Sequence, residues 1–391
     1  MNDPIHVPSE QSSPGSALGP PQRQVAWERL GTEQFDVVVI GGGVVGSGCA
    51  LDAATRGLKV ALVEARDLAS GTSSRSSKMF HGGLRYLEQL EFGLVREALY
   101  ERELSLTKLA PHLVRPMPFL FPLTRRGWER PYVAAGIFLY DRLGGAKSVP
   151  PQKHLTRAGA LRLSPGLKRT SLIGGIRYYD TVVDDARHTT TVARTAAHYG
   201  AVVRSSTQVV ALLREGDRVT GVRVRDSEDG RIAEVRGHVV VNATGVWTDE
   251  IQALSKQRGR FQVRASKGVH VVVPRDRIVS DVAIILRTEM SVMFVIPWGS
   301  HWIIGTTDTD WDLDLAHPAA TKADIDYILA TVNTVLATPL THADIDGVYA
   351  GLRPLLAGES EETSKLSREH AVAVPAPAWW RSPAVSTPLT G

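Results

Sequence analysis

One cysteine in 391 residues, Cys49, makes an intramolecular disulfide impossible and fits a reducing, cytosolic setting. It lies among small residues and reads as a buried apolar side chain rather than a reactive thiol. No apolar run approaches the roughly 20 residues that span a bilayer, and the N-terminus has no charged-then-apolar signal architecture. Charge is nearly balanced, 45 basic against 41 acidic residues, with the basic ones scattered, so a nucleic-acid partner is not expected. There is no internal repeat, no HExxH, no Cys/His cluster for a metal and no Walker-type glycine loop. The first 33 residues hold five prolines, several serines and few large apolar groups, and are expected to be a disordered tail in which only Trp27 and Leu30 could dock.

What is present begins at Phe35. Val37, Val38, Val39 and Ile40 form the continuous apolar run of a strand buried on both faces. Gly41, Gly43 and Gly46 follow at G-x-G-x-x-G spacing, suiting a tight turn, backbone approach to a pyrophosphate, and close packing of the next helix. That helix, over residues 45–56, would aim its N-terminal amides at the phosphates. A second buried strand, 59–63, ends at Glu64, where an acidic residue accepts the ribose hydroxyls of an adenosine. Strand, glycines, helix, strand and acid in this order predict a dinucleotide-binding unit.

Residues 68–87 (LASGTSSRSSKMFHGGLRYL) are too polar and glycine-rich for a core element, and long irregular segments in compact domains are functional or disordered. Thr72, Ser73, Ser74, Ser76 and Ser77 offer hydroxyls and amides for a cofactor's diphosphate or ring edge. Helices are predicted over 94–109 and 186–198, strands over 201–210, 219–224 and 239–241, and a further helix from 321. Segments 268–273, 292–298 and 302–308 read as strands of a second sheet. Pro116, Pro118 and Pro122 bar a helix at 115–122. The apolar stretch 132–140 after Arg125, Arg126, Trp128 and Arg130 reads as a core helix, with a monotopic membrane contact as the sharper reading.

The run Ser73, Ser74, Ser76, Ser77, Lys78, His81, Gly82, Gly83, Leu84, Arg85, Tyr86, Leu87, Glu88 resembles the SSxSSKxxHGGLRYLE signature of the aerobic, FAD-dependent glycerol-3-phosphate dehydrogenases. The resemblance implies an α/β chain: a Rossmann-like two-dinucleotide-binding FAD domain with a second α+β substrate domain built on an antiparallel sheet. The expected partition gives the FAD domain residues 34–110, 175–260 and 340–391, and the substrate domain 111–174 and 261–339. Further segments resemble the family: the strand-end turn Ala243-Thr244-Gly245 against the nucleotide, Lys267 to His270, Ile304 to Asp308, and two arginine positions, Arg353 and Arg368. Asp184, Asp185 and Arg187 match as well, and either a buried ion pair or a substrate contact explains them.

From this follow FAD as cofactor, held by Gly41, Gly43, Gly46, Glu64, Thr72, Ser73, Ser74, Ser77, Lys78, His81, Gly82, Ala243, Thr244 and Gly245, and oxidation of sn-glycerol 3-phosphate to dihydroxyacetone phosphate. Hydride would pass from C2 to flavin N5 and electrons on to quinone. Arg368 and Arg85 are assigned to the phosphate and Arg353 to the C2 oxygen, because guanidinium matches oxyanions bidentately. His270 is the candidate proton acceptor, on the ground that imidazole titrates near neutrality, with Tyr86 and Thr307 lining the pocket. Peripheral contact with the inner face of the cytoplasmic membrane is implied. The alternatives are an oxidase of the same fold acting on an amino acid or hydroxy acid, or an inactive truncated product. The family continues past this length with a GGKxTTYR segment. Reading the codons of Trp379-Trp380 one base earlier can give LVAVAGGKYTTYR, so a frameshift near Ala378 is expected, and a chain ending at Gly391 is expected to bind FAD weakly.

Overall fold

The computed structural model describes residues 14–144, 148–255, 262–288, 292–356, 372–376 and 379–381. Its first sheet is built on Gln34–Ile40, whose Phe35, Val38 and Val39 are fully buried. Val60–Val63 and Ile232–Asn242 flank this strand in parallel register, and Val202–Arg204 extends the sheet beyond Val60–Val63. Helices Val44–Thr55 and Asp185–His198 cover it with Ala50, Ala53 and Ala54 against Ala193, Ala196 and Ala197, small side chains that let the two helices and the sheet approach closely. A parallel sheet covered in this way is the expected α/β dinucleotide unit. The backbone of Trp379–Arg381 pairs in parallel with Val240 to Asn242 at the far edge.

A second, ten-stranded sheet is antiparallel except where Ala283–Arg287 runs parallel to Arg115–Leu123. Its spine is Val263–Pro274, paired over ten residues with Gly347–Leu356. Strand alternation sends Val269, Val271 and Val273 into a core shared with Trp302, Ile304, Ile328 and Val332, under helix Lys322–Asn333. Gly268 and His270 face the other way. Arg115–Leu123 is a strand despite three prolines; all three have even numbers, so the donors they lack fall on one edge of the strand. Helix Glu129–Gly144 packs Val133, Ile137 and Tyr140 inward, as the core-helix reading requires, and leaves Tyr132, Phe138 and Leu139 exposed.

Three expectations change. Residues 1–13 lie outside the described residues, but the rest of the supposed tail is ordered: Pro20–Thr32 is a helix started by prolines in its first turn, with Ala26, Trp27 and Leu30 buried. Trp27 lies under the guanidinium groups of both Arg204 and Arg231, 4.6 and 5.1 Å from its ring centre. The sheets also divide the chain differently from the expected partition. Strand Gly174–Val182, expected in the nucleotide half from residue 175 on, and Gly347–Leu356, expected there throughout, hydrogen-bond into the second sheet, because their long pairing partners, Arg115–Leu123 and Val263–Pro274, lie there. Finally, the single strand expected at 201–210 is two, Val202–Arg204 and Thr207–Glu215. Ser206, at φ +47, breaks it, and the chain leaves parallel pairing with Val60–Val63 for antiparallel pairing with Arg218–Asp226.

Candidate active site

A cavity of about 820 Å³ runs between the two sheets, from Glu64 at one end to His270 and Arg353 at the other. The glycine turn forms one wall. Gly41 has φ +109 and stands so near the Ala243-Thr244 turn that a Cβ on it would lie 2.6 Å from the Ala243 carbonyl oxygen. A Cβ on Gly46 would lie 1.8 Å from the Gly41 carbonyl oxygen, so the helix can sit this close only with glycine there. Ser73 ties the polar segment to this wall, its hydroxyl accepting from the Val44 amide at 2.9 Å. Glu64 accepts from the amides of Gly42 (2.6 Å) and Arg66 (2.8 Å). Burial pushes its carboxyl above the usual range and these two donors pull it back. Arg66 in turn lies over the Trp247 ring, 5.1 Å from its centre.

At the opposite end, alternation along Gly347–Leu356 places Tyr349, Gly351 and Arg353 on one face. Arg353 donates from Nη2 to Thr306 Oγ1 at 3.0 Å and from Nη1 to the Thr307 carbonyl at 3.3 Å, with Asp308 Oδ1 at 3.8 Å. Asp308 is itself hydrogen-bonded by Ser266. His270 is 2% exposed; its ring stacks on Tyr349 with centres 4.7 Å apart, and Nε2 meets Ser77 Oγ at 2.9 Å. Nδ1 is buried with no hydrogen-bond partner among the described residues. Desolvation first, then the charges of Arg353 and Lys78, lower its pKa to about 3, so the neutral form holds at physiological pH. The expectation of a near-neutral titration is therefore corrected: this imidazole is too buried and too close to cations.

The polar segment is pinned from behind. Asp185 accepts from Ser76 Oγ (2.6 Å), the Ser76 amide (3.1 Å) and Lys78 Nζ (2.6 Å). Tyr349 donates its hydroxyl to the Ser76 carbonyl at 2.8 Å. Lys78 holds a left-handed backbone, φ +55, secured by that ion pair and by the Val183 amide on its carbonyl (3.0 Å). Asp185 forms its ion pair with Lys78 and also lines the cavity, while Asp184 caps the helix by accepting from the Arg187 amide.

Gly41, Gly43, Glu64, Thr72, Ser73 and Ser77 all line the cavity, as do His81, Ala243, Thr244, Gly245, His270 and Arg353. Tyr86 and Thr307 line it too. Gly46, Ser74, Lys78 and Gly82 stand behind the wall, because the Lys78 ammonium turns to Asp185, the Ser74 hydroxyl to the Gly71 carbonyl, and the Gly82 amide to Tyr140. Arg85 belongs to the 3-10 turn Leu84–Leu87, but its side chain lies outside the described residues, as does Arg368 altogether. Sequence reasoning missed Tyr349 and Trp247; the period-two pattern that carries Arg353 would have found the first.

The donor set fits a flavin dinucleotide on observations of this chain alone. Side-chain-free glycines front the turn, an acid waits at the end of the second strand, and the cavity continues past both to a cationic end.

The family model for FAD dependent oxidoreductase (DAO) matches residues 36–372. A glycerol-3-phosphate dehydrogenase of Mycobacterium leprae is 90% identical over 376 residues, covering 96% of this chain and 64% of that protein. The human mitochondrial glycerol-3-phosphate dehydrogenase is 38% identical, covering 90% of this chain and 51% of that protein. Among solved structures, glycerol-3-phosphate dehydrogenase from Bacillus halodurans complexed with FAD superimposes with a TM-score of 0.75 at 30% identity, over 95% of this chain and 64% of that one. The chain thus spans less than two thirds of the length of these relatives. With a family model covering most of its length, the chain belongs to the FAD dependent oxidoreductase family.

Proposed function

We propose that the chain binds FAD in this cavity and oxidises sn-glycerol 3-phosphate to dihydroxyacetone phosphate. The observation that carries the reading is the pairing of Arg353 with a buried, neutral His270 at the far end of a cavity whose near end is a dinucleotide turn. The names of the similar proteins support the substrate. FAD, when bound, supplies the acceptor for the hydride leaving C2. Glu64 would hold the ribose, the amides after Gly41 and Gly43 the diphosphate, and Thr72, Ser73, Ser77 and His81 the remainder.

The chain's own residues then divide the substrate. Arg353 faces the C2 oxygen and favours its alkoxide character; Arg85 and Arg368 are assigned to the phosphate dianion. His270 takes the hydroxyl proton at Nε2, the ring nitrogen turned to Ser77, which lines the cavity. Burial first, and then the charges of Arg353 and Lys78, make this imidazole a weak base; an arriving dianion offsets the charge part, so basicity rises with substrate in place.

Electrons would pass on to quinone at a membrane surface. Supporting a peripheral contact, Trp128 is exposed close after exposed Arg125 and Arg126, Tyr132, Phe138 and Leu139 are exposed along the helix that follows, and no helix among the described residues is long and apolar enough to cross a membrane.

The test is to titrate the purified chain with FAD by visible absorbance, then mix the loaded protein anaerobically with sn-glycerol 3-phosphate, glycine or proline. Bleaching of the flavin by glycerol 3-phosphate alone is expected. Bleaching by an amino acid instead would transfer the chain to a same-fold amino-acid oxidase.

A further inference from the structure

Behind the His81–Gly83 turn lies a buried charge cluster with no part in the chemistry above. Arg102 and Asp180 are each 2% exposed, and Arg102 Nη1 donates to Asp180 Oδ1 at 2.5 Å. The Tyr140 hydroxyl donates to the same carboxylate, 2.9 Å from both oxygens, and its oxygen accepts from the Gly82 amide at 2.6 Å. A tyrosine hydroxyl has one proton to give. With that proton committed to the carboxylate, the order is set: amide donates to tyrosine, tyrosine donates to carboxylate, and the guanidinium donates to the same carboxylate from the other side. Three separate elements, Phe92–Leu104, Glu129–Gly144 and Gly174–Val182, thus converge on a single backbone amide.

The turn is built for this approach. A Cβ on Gly82 would lie 2.4 Å from Leu99 and 2.9 Å from the Tyr140 ring. The next amide, Gly83, donates to His81 Nδ1 at 3.0 Å, so the turn that is anchored at Gly82 also fixes the tautomer and direction of the His81 ring. Buried ion pairs seldom add net stability over apolar replacements, so stability alone does not account for this one.

We propose that Tyr140 is a positioning residue that couples the Arg102–Asp180 pair, through the Gly82 amide, to the orientation of His81 at the cavity wall. Its bearing on flavin chemistry rests on the functional reading above; the coupling does not.

Burial raises the Asp180 carboxyl to about 6, against the pull of Arg102 and Tyr140. Asp141 adds repulsion, and the Tyr178 ring is the other titratable group facing it. A protonated Asp180 accepts the tyrosine proton less strongly, so the anchor weakens below that pH.

The experiment is amide hydrogen exchange on the whole chain without added flavin, with Tyr140→Phe and Asp180→Asn, alongside NMR titration of the His81 ring. In Tyr140→Phe, exchange over residues 80–86 should rise roughly ten- to a hundredfold, the worth of a hydrogen bond to a charged group, while Gln34–Ile40 keeps its protection. In the parent chain, protection of 80–86, corrected for intrinsic rates, should fall as pH drops through about 6, and Asp180→Asn should abolish that dependence. The His81 titration should shift in both variants. Unchanged exchange in Tyr140→Phe, loss spread equally to Gln34–Ile40, or an unmoved His81 titration would overturn the proposal. Failure of FAD to bind would touch only the functional reading.

Discussion

His270 shows how far burial changes what a residue can do. From sequence it is a histidine with a near-neutral titration; in the fold it is sealed between Tyr349 and Gly305, and that burial first, with two nearby cations second, holds it neutral. Its native pKa of about 3 lies below the ordinary 6.5, so between those values the unfolded chain binds a proton that the native one refuses. The associated stability is complete above about pH 6.5 and is lost as pH falls, at up to about 1.4 kcal/mol per pH unit. His270→Gln should flatten urea-unfolding stability over that window; an unchanged slope would assign the acid sensitivity to other groups. The glycine fingerprint, by contrast, was fully legible, because backbone contact leaves no choice of residue. Gly46→Ala must move the helix off the Gly41 carbonyl, and at least a tenfold loss of FAD affinity with a lowered Tm is expected by fluorescence titration and calorimetry.

At the scale of elements, periodicity disclosed strands and helices but not their partners. Tyr349 and Arg353 share a face by simple alternation, yet nothing in the local pattern says that this face meets His270 rather than the nucleotide half; the ten-residue ladder with Val263–Pro274 decides it. The split at Ser206 was easily passed over, since Ser205-Ser206 is only a short polar interruption between Val202-Val203 and Val209, and the change of neighbouring strand is what makes it a break. Helix Asp185–His198 joins the two halves at its first turn. Asp185→Ala leaves the Lys78 ammonium without its counter-charge while it is still mostly buried, and should cost about 2–4 kcal/mol in urea unfolding. Adding Lys78→Met should recover part of that loss. If the double variant is no more stable than the single one, the pair is not the source.

Over the whole molecule, the N-terminal segment was misjudged because its composition is that of a linker, while its fate is set by three side chains. Trp27 is held by Arg204 and Arg231, and Arg204 also pairs with Asp226 at 2.6 Å, so the helix is fastened over the face of the first sheet, where Ala26, Trp27 and Leu30 pack with Val38, Ile40, Ala61 and Val202. Trp27→Ala should cost about 3 kcal/mol by calorimetry, with FAD affinity unchanged, because the helix does not line the cavity. The exposed Tyr132, Phe138 and Leu139 of helix Glu129–Gly144 make a second prediction at this scale. Phe138→Glu with Leu139→Glu should reduce co-sedimentation with anionic vesicles, and salt should weaken the parent's binding. Binding insensitive to both would exclude this face as the contact.

The interleaving of the sheets bears on how the protein is made. Gln34–Ile40 cannot gain its second neighbour until Ile232–Asn242 leaves the ribosome, and by then Arg115–Leu123 and Gly174–Val182, already synthesised, belong to the other sheet. That sheet in turn lacks Ala283–Arg287 beside Arg115–Leu123, and Gly347–Leu356 beside its spine, until much later. Neither half can mature first and template the other, which is the usual course for chains with consecutive domains. The nascent chain must therefore carry unpaired strand edges through most of its translation, and its yield in a cell should depend more on chaperone supply than on the stability of the finished fold.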